Sequence, residues 1–186
     1  MKIRAFLAVE LEDGVRSRVA GCIDRMAPQV SGIKWVEPEN IHLTMKFFGD
    51  VDQLEIPEIC ETVQNSIAGH EPFSMTCHGM GAFPKLARAR TLWVGVTEGL
   101  EEMCSLQSDI DQQLKQVGFR GESRRFHPHI TIGRVRDGKS QKLIEDLLQS
   151  QVEAEFGISA VVAVTFFSSQ LSKAGPEYSV LARFDL

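Results

Sequence analysis

Apolar residues recur along this chain with two periods. In Val161-Val162-Ala163-Val164-Thr165-Phe166 and several similar runs, β-branched and aromatic residues dominate, the signature of strands packed on one face. Between 100 and 117 the period changes. Leu100, Met103, Leu106, Ile110, Leu114 and Val117 fall three or four apart, which lines one side of a helix, and Gly118 supplies a stop. Read this way throughout, the chain predicts strands over 3–9, 33–36, 41–48, 72–82, 91–96, 128–135, 158–168 and 178–184. The helices fall over 14–27, 54–68, 100–117 and 140–150.

The same order of elements occurs twice. At an offset of 87 residues, Leu7 lies on Val94, Val9 on Val96, Ile23 on Ile110, His42 on His129 and Thr44 on Thr131. The offset also lays strand 72–82 on 158–168 and strand 91–96 on 178–184. Apolar coincidences are common, but two His/Thr pairs in register are not. The expectation is an α+β fold in which a duplicated unit forms antiparallel sheets about a pseudo-twofold axis. One histidine from each copy would face a cleft between two lobes. The length, 186 residues, suits a single bilobal domain over 1–186.

Composition narrows the function without naming it. Apolar residues make up 43% and charged residues 24%, as in an ordinary globular protein. No apolar run approaches the roughly 20 residues of a spanning helix. The opening segment has acidic residues too early for a signal peptide, so a cytoplasmic protein without membrane contact is expected. Cys22, Cys60, Cys77 and Cys104 are too far apart for a C-x-x-C pair and read as small buried thiols. A net charge of −5 argues against bulk coating of nucleic acid. It leaves room for a local basic site, and the arginines do cluster: Lys85, Arg88 and Arg90 form one group, and Arg120, Arg124, Arg125, Arg134 and Arg136 another.

The chemistry sits in the repeated motif. Asn40-Ile41-His42-Leu43-Thr44-Met45-Lys46 and Phe126-His127-Pro128-His129-Ile130-Thr131-Ile132-Gly133-Arg134 each hold His-x-Thr within a strand-like run. Side chains at i and i+2 of a strand share a face, so His42 joins Thr44 and His129 joins Thr131. Leu43, Met45, Ile130 and Ile132 point into packing. Histidine, with an unperturbed pKa of about 6.5, serves as acid or base near neutrality. Opening a cyclic phosphodiester needs one of each, together with hydroxyl or guanidinium donors for the phosphoryl oxygens. A lone His-x-Thr reads better as a structural histidine; two in register reverse that reading. Lys46 falls in phase with His42 and Thr44, though a solvated strand-end lysine reads as well. Phe48 could stack on a base, with a core role the stronger reading. His127 could share the face of His129, but Pro128 disturbs the alternation. His70 and His78 read as structural or surface residues.

Other chemistries find little support. No H-E-x-x-H or Cys/His-rich tract offers zinc ligands, so no metal is expected. No glycine-rich phosphate loop or nucleophile elbow is present, and no cofactor is expected.

With these motifs, the chain resembles the two-histidine phosphoesterases, specifically the RNA 2′,3′-cyclic phosphodiesterases also called 2′-5′ RNA ligases. The likeness extends to Arg4-Ala5-Phe6-Leu7-Ala8-Val9, Trp35-Val36, Gly81-Ala82-Phe83-Pro84, Arg90-Thr91-Leu92-Trp93-Val94-Gly95-Val96 and Tyr178-Ser179-Val180-Leu181. The resemblance implies metal-independent hydrolysis of RNA 2′,3′-cyclic phosphate ends to 2′-phosphates, with RNA ends or nucleoside 2′,3′-cyclic phosphates as partners. It implies His42 as proton donor to the departing 3′ oxygen and His129 as the base that activates water. Thr44, Thr131 and Arg134 would hold the phosphate. Strict alternation turns Arg134 away from His129, so that role requires a twist or bulge. The same acid and base could join or cleave 2′-5′ linkages, and a binding module without catalysis is the alternative of another class. One chain supplies both motifs, so a monomer is expected.

Overall fold

The structure is a computed structural model in which residues 1–172 and 175–186 are described. Its elements follow the order β1 (Lys2–Glu10), α1 (Asp13–Met26), β2 (Ile33–Trp35), β3 (His42–Asp52), α2 (Ile56–Ile67), β4 (Phe73–Phe83), β5 (Thr91–Glu98), α3 (Leu100–Gln116), β6 (His129–Val135), α4 (Gln141–Gln149), β7 (Glu155–Val161), β8 (Ala163–Leu171) and β9 (Pro176–Asp185). Helix α3 ends as Gly118 foretold. Gly118 takes a φ of +96°, its N–H donates to the Lys115 carbonyl, and the Phe119 N–H donates to Leu114 at 3.0 Å. That paired closure uses carbonyls the helix leaves free, and glycine adopts the required backbone without a Cβ penalty.

The strands form one curled antiparallel sheet, ordered β7-β4-β5-β6-β3-β1-β8-β9, with β2 beside β6. Two four-strand halves meet where β6 and β3 touch, through the single ladder pair Leu43–Ile130. Bays lined by Thr44, Thr131 and Arg134 open at this junction. Helices α2 and α3 pack on each other, α3 against β3, α1 against β7 and α4 against β4. They cover the face to which Leu43, Met45, Ile130 and Ile132 point, all of them at most 2% exposed. Burying such a layer is the main driving force for holding both motif strands in place.

The offset of 87 residues holds in space for β1 with β5, β3 with β6 and β4 with β8, but the chain crosses between halves. Strand β4 of the first copy pairs with β5 of the second, and β8 of the second pairs with β1 of the first. Each half of the sheet therefore contains strands from both copies. Two expectations are corrected here. The single strand expected over 158–168 is two strands broken at Val162, since β7 pairs with β4 in one half and β8 with β1 in the other. No straight strand reaches both places. The offset also set β5 on β9, yet β9 lies at the outer edge beside β8, the position that β7 holds in the other half.

Candidate active site

His42 and Thr44 open β3, and His129 and Thr131 open β6; all four are half-buried, with the alternate residues fully buried. Antiparallel pairing at Leu43–Ile130 sets His42 across from Thr131 and Thr44 across from His129. The histidines are then a diagonal pair, and such pairs lie roughly 7–8 Å apart in a sheet.

Each ring is oriented by its own backbone. His42 Nδ1 lies 2.8 Å from the Asn40 carbonyl, and His129 Nδ1 lies 2.6 Å from the His127 carbonyl. Asn40 and His127 are again 87 residues apart. A carbonyl can only accept, so both Nδ1 atoms carry hydrogen and both Nε2 atoms face the cleft as the reacting nitrogens. In His42 the Thr44 hydroxyl donates to Nε2 at 3.0 Å. The His42 ring stacks on Phe6 with centroids 5.0 Å apart and meets the edge of Tyr178 at 5.5 Å; the His129 ring meets Phe83 at 4.9 Å.

Paired bulges decide which neighbours join these four. In the ladder of β1 with β3, Leu7 faces Lys46 but Ala8 faces Thr44, so Met45 is the extra residue. In the ladder of β5 with β6, Leu92 faces Gly133 but Trp93 faces Thr131, so Ile132 is extra. A bulge reverses the alternation beyond it. Arg134 is thereby turned into the cleft, where it lines the same bays as Thr44 and Thr131. The bulge that its expected role required is present. Met45 and Ile132 correspond under the offset, and so do Phe47 and Arg134.

The first bulge corrects the reading of Lys46. It does not share the face of His42, nor is it solvated. It lies 2% exposed on the helix side, 2.5 Å from Asp111 and 2.8 Å from the Arg120 carbonyl. Phe47, 59% exposed, takes the cleft position. Phe48 packs edge-on against Phe119 and Phe166, a core role. Sequence reasoning missed Phe47, although a signal existed: a bulge demanded before Arg134 implies, by the repeat, one before Phe47. Phe6, Glu10 and Tyr178 were also missed, and nothing local marks them.

The remaining candidates fall outside the pair. His127 is exposed beside Trp93, at 5.4 Å between rings, and lines the cleft, but its carbonyl is the part that touches His129. His70 pairs with Asp109 at 2.8 Å and His78 lies 3.8 Å from Glu153. Cys22 and Cys77 are buried, Cys60 and Cys104 half-buried, and all four are free thiols. Among the described residues, no group of three His, Cys, Asp or Glu is placed to hold a metal ion.

Burial is the dominant influence on both rings. It lowers the His42 pKa to about 4, against the opposing pull of the Asn40 carbonyl and of Glu10. Burial also lowers His129, where the His127 carbonyl opposes it and the neighbouring His127 and Arg134 add to it. The folded value of His42 lies below 6.5, so the unfolded chain takes the proton first. Its effect on stability is absent above about pH 6.5 and turns destabilising as pH falls towards 4. An NMR titration of the free protein is expected to show His42 neutral down to about pH 4. A midpoint near 6.5 would contradict the burial described.

The family model for the 2′-5′ RNA ligase superfamily matches residues 15–166. A protein of Methanothermobacter thermautotrophicus named RNA 2′,3′-cyclic phosphodiesterase is 38% identical over 186 residues, covering 100% of both chains. One of the same name from Thermotoga maritima is 35% identical over 181 residues, covering 96% of this chain and 93% of the other. The crystal structure of TT0787 of Thermus thermophilus superposes with a TM-score of 0.84 at 25% identity, covering 99% of this chain and 98% of that one. E. coli LigT complexed with 3′-AMP shares the fold, with a TM-score of 0.80 at 22% identity, covering 100% and 99%. Two His-x-Thr strands, their matched bulges and a family match across most of the length agree: this chain belongs to the 2′-5′ RNA ligase superfamily.

Proposed function

We propose that this chain hydrolyses RNA 2′,3′-cyclic phosphate ends to 2′-phosphates, acting as a monomer whose two lobes form one catalytic unit. The observation that carries this is two His-x-Thr pairs brought onto one face by the Leu43–Ile130 pairing, each ring held through Nδ1 by a backbone carbonyl, with Arg134 lining the same bays as Thr44 and Thr131. The relatives named RNA 2′,3′-cyclic phosphodiesterase support the same reading.

His129 Nε2 takes a proton from water as the water oxygen attacks phosphorus. The bond from phosphorus to the 3′ oxygen breaks on the opposite side, and His42 Nε2–H gives that oxygen its proton. The threonine hydroxyls and the Arg134 guanidinium donate to the non-bridging oxygens, where charge grows in the transition state. Burial lowers both rings; the smaller influences differ in sign, Glu10 favouring a charged His42 and His127 and Arg134 disfavouring a charged His129. Burial works against a proton on the free His42, so the anionic substrate is the charge that brings it in.

The test is incubation of EDTA-treated protein with an oligonucleotide ending in a 2′,3′-cyclic phosphate, the product read by phosphorus NMR. A 2′-phosphate is expected, at an unchanged rate after chelation. A 3′-phosphate would invert the assignment of the leaving oxygen, and activity restored only by added zinc would replace it with a metal mechanism.

A further inference from the structure

The repeat gives both histidines the same frame, so the frame does not decide which of them is the acid. Each ring is held through Nδ1 by the carbonyl two residues before it, and each has a threonine two residues after it. The difference lies in the strand beside each one. In the ladder of β1 with β3, the residue directly across from His42 is Glu10. In the ladder of β5 with β6, the residue directly across from His129 is Gly95. Such partners point to one face with Cβ atoms roughly 4.5–5.5 Å apart, so Glu10 presents a carboxylate alongside the His42 ring. Gly95 presents no side chain, and none fits: a Cβ there would lie 2.9 Å from the His78 carbonyl oxygen.

Glu10 is fixed where it stands. Thr165, 1% exposed, donates its hydroxyl to Glu10 Oε2 at 2.9 Å, and Arg183 Nη1 lies 3.7 Å from the same oxygen. Arg183 also gives its Nε–H to Asp185 at 3.1 Å, so its charge is divided between two carboxylates. One recess beside His42, of about 410 Å³, is lined by Glu10, Arg16, Glu39, Glu177 and Tyr178. Arg16 is paired with Asp13, and Glu39 and Glu177 are exposed. A second recess, which also reaches Thr44 and Thr131, brings Lys34, Glu37, Arg134 and Arg136 near the ring. Of the carboxylates in both recesses, Glu10 alone stands in the ladder with His42. Around His129 the sign is reversed: its bay carries Arg90, Arg124, Arg125 and Arg134 against the carboxylate of Glu122.

We infer that Glu10 is the positioning residue that keeps a proton on His42 Nε2 while substrate fills the cleft, and so makes His42, rather than its counterpart in the repeat, the acid. This rests on the acid and base roles proposed above. The ring needs such a partner. Burial lowers the His42 pKa to about 4, and only the Asn40 carbonyl and Glu10 oppose it. A bound phosphodiester brings one negative charge, which leaves with the product; the Glu10 carboxylate stays. In each turnover His42 gives its Nε2 proton to the 3′ oxygen, and His129 takes one from the attacking water. Resetting the pair returns the proton on His129 to solvent and takes one from solvent onto His42. A carboxylate beside His42 and arginines beside His129 favour both of these transfers.

Glu10→Gln removes the charge and keeps an acceptor for Thr165, which makes it the deciding variant. An NMR titration follows His42 with a nucleoside 2′-phosphate bound, and kcat for an oligonucleotide ending in a 2′,3′-cyclic phosphate is measured over the same pH range. The His42 midpoint in the complex is expected to fall by about one pH unit, the low end for losing a neighbouring opposite charge. A lower midpoint leaves less of the acid protonated above it. There kcat is expected to drop about tenfold, while below both midpoints the variant and wild type converge. KM is expected to stay within about twofold, since no contact to substrate is removed. Glu10→Asp keeps the charge and is expected to recover most of the midpoint, and Glu39→Gln and Glu177→Gln to leave it in place. An unmoved midpoint in Glu10→Gln, or a kcat lowered equally at every pH, would leave Glu10 a structural role and overturn the proposal. An equal shift in Glu177→Gln would assign the effect to the acidic surface at large and overturn it too. A wild type that binds the 2′-phosphate but leaves the cyclic end intact would instead bring down the hydrolase reading on which the proposal rests.

Discussion

His42→Ala and His129→Ala each lower kcat for cyclic phosphate hydrolysis by about 10²–10⁴, the range a positioned acid or base contributes. Each variant removes one proton transfer and leaves Thr44, Thr131 and Arg134 in place, so KM is expected to move much less than kcat. The two losses are not additive, because acid and base act in one concerted displacement. The variants differ in their pH response. Without His129, the remaining rate rises with hydroxide, which needs no base. Without His42, substrates carrying a better leaving group recover part of the rate. The His42 ring stacks on Phe6 and meets the edge of Tyr178, so thermal melts must accompany the kinetics to separate lost chemistry from lost packing. Either variant retaining more than a tenth of wild-type kcat would remove that histidine from the reaction.

Lys46→Ala is expected to destabilise the protein by about 3 kcal/mol, the lower end for breaking a buried ion pair from one side. The lower end applies because Asp111 keeps 16% exposure while Lys46 keeps 2%. The carboxylate left behind has lost its cation but not its surroundings, and the Arg120 carbonyl loses its donor as well. Lys46→Met with Asp111→Asn is expected to lose less than the single variant. Methionine fills the lysine stem's space, and asparagine keeps an acceptor for the Glu122 N–H. Urea unfolding at neutral pH measures both. A single variant within 1 kcal/mol of wild type would mean that water reaches the pair, by the usual standard for exposed ion pairs.

The comparison of Lys46 with Arg134 shows where local reading stops. Both stand beyond a His-x-Thr, and alternation alone puts Lys46 with the histidines and Arg134 away from them. The structure reverses both. The cause is the extra residue that follows each His-x-Thr, Met45 and Ile132, and neither has a side chain that announces a bulge. A bulge belongs to a pair of strands, being a mismatch between the spacing of β3 and that of β1, or of β6 and β5. The repeat was the one route to it from the sequence, through the correspondence of Phe47 with Arg134. The strand expected over 158–168 failed for a related reason. Its composition is that of a strand throughout, and the break at Val162 arises because its two ends have different partners.

The amino-acid order alone determined the succession of strands and helices apart from the break at Val162, the duplication at 87 residues, the end of α3 at Gly118 and the polar face of each His-x-Thr strand. These are properties of hydrophobic period, glycine backbone freedom and side-chain alternation, each contained within a few consecutive residues. The tertiary structure decided the crossing of β4 and β8 between the halves, the inward turn of Arg134 and Phe47 and the outward turn of Lys46. It also brought Glu10 and Tyr178 to His42 and built the arginine-lined bay beside His129. Each of those depends on register between strands distant in sequence, and register is set when the whole sheet closes on its core.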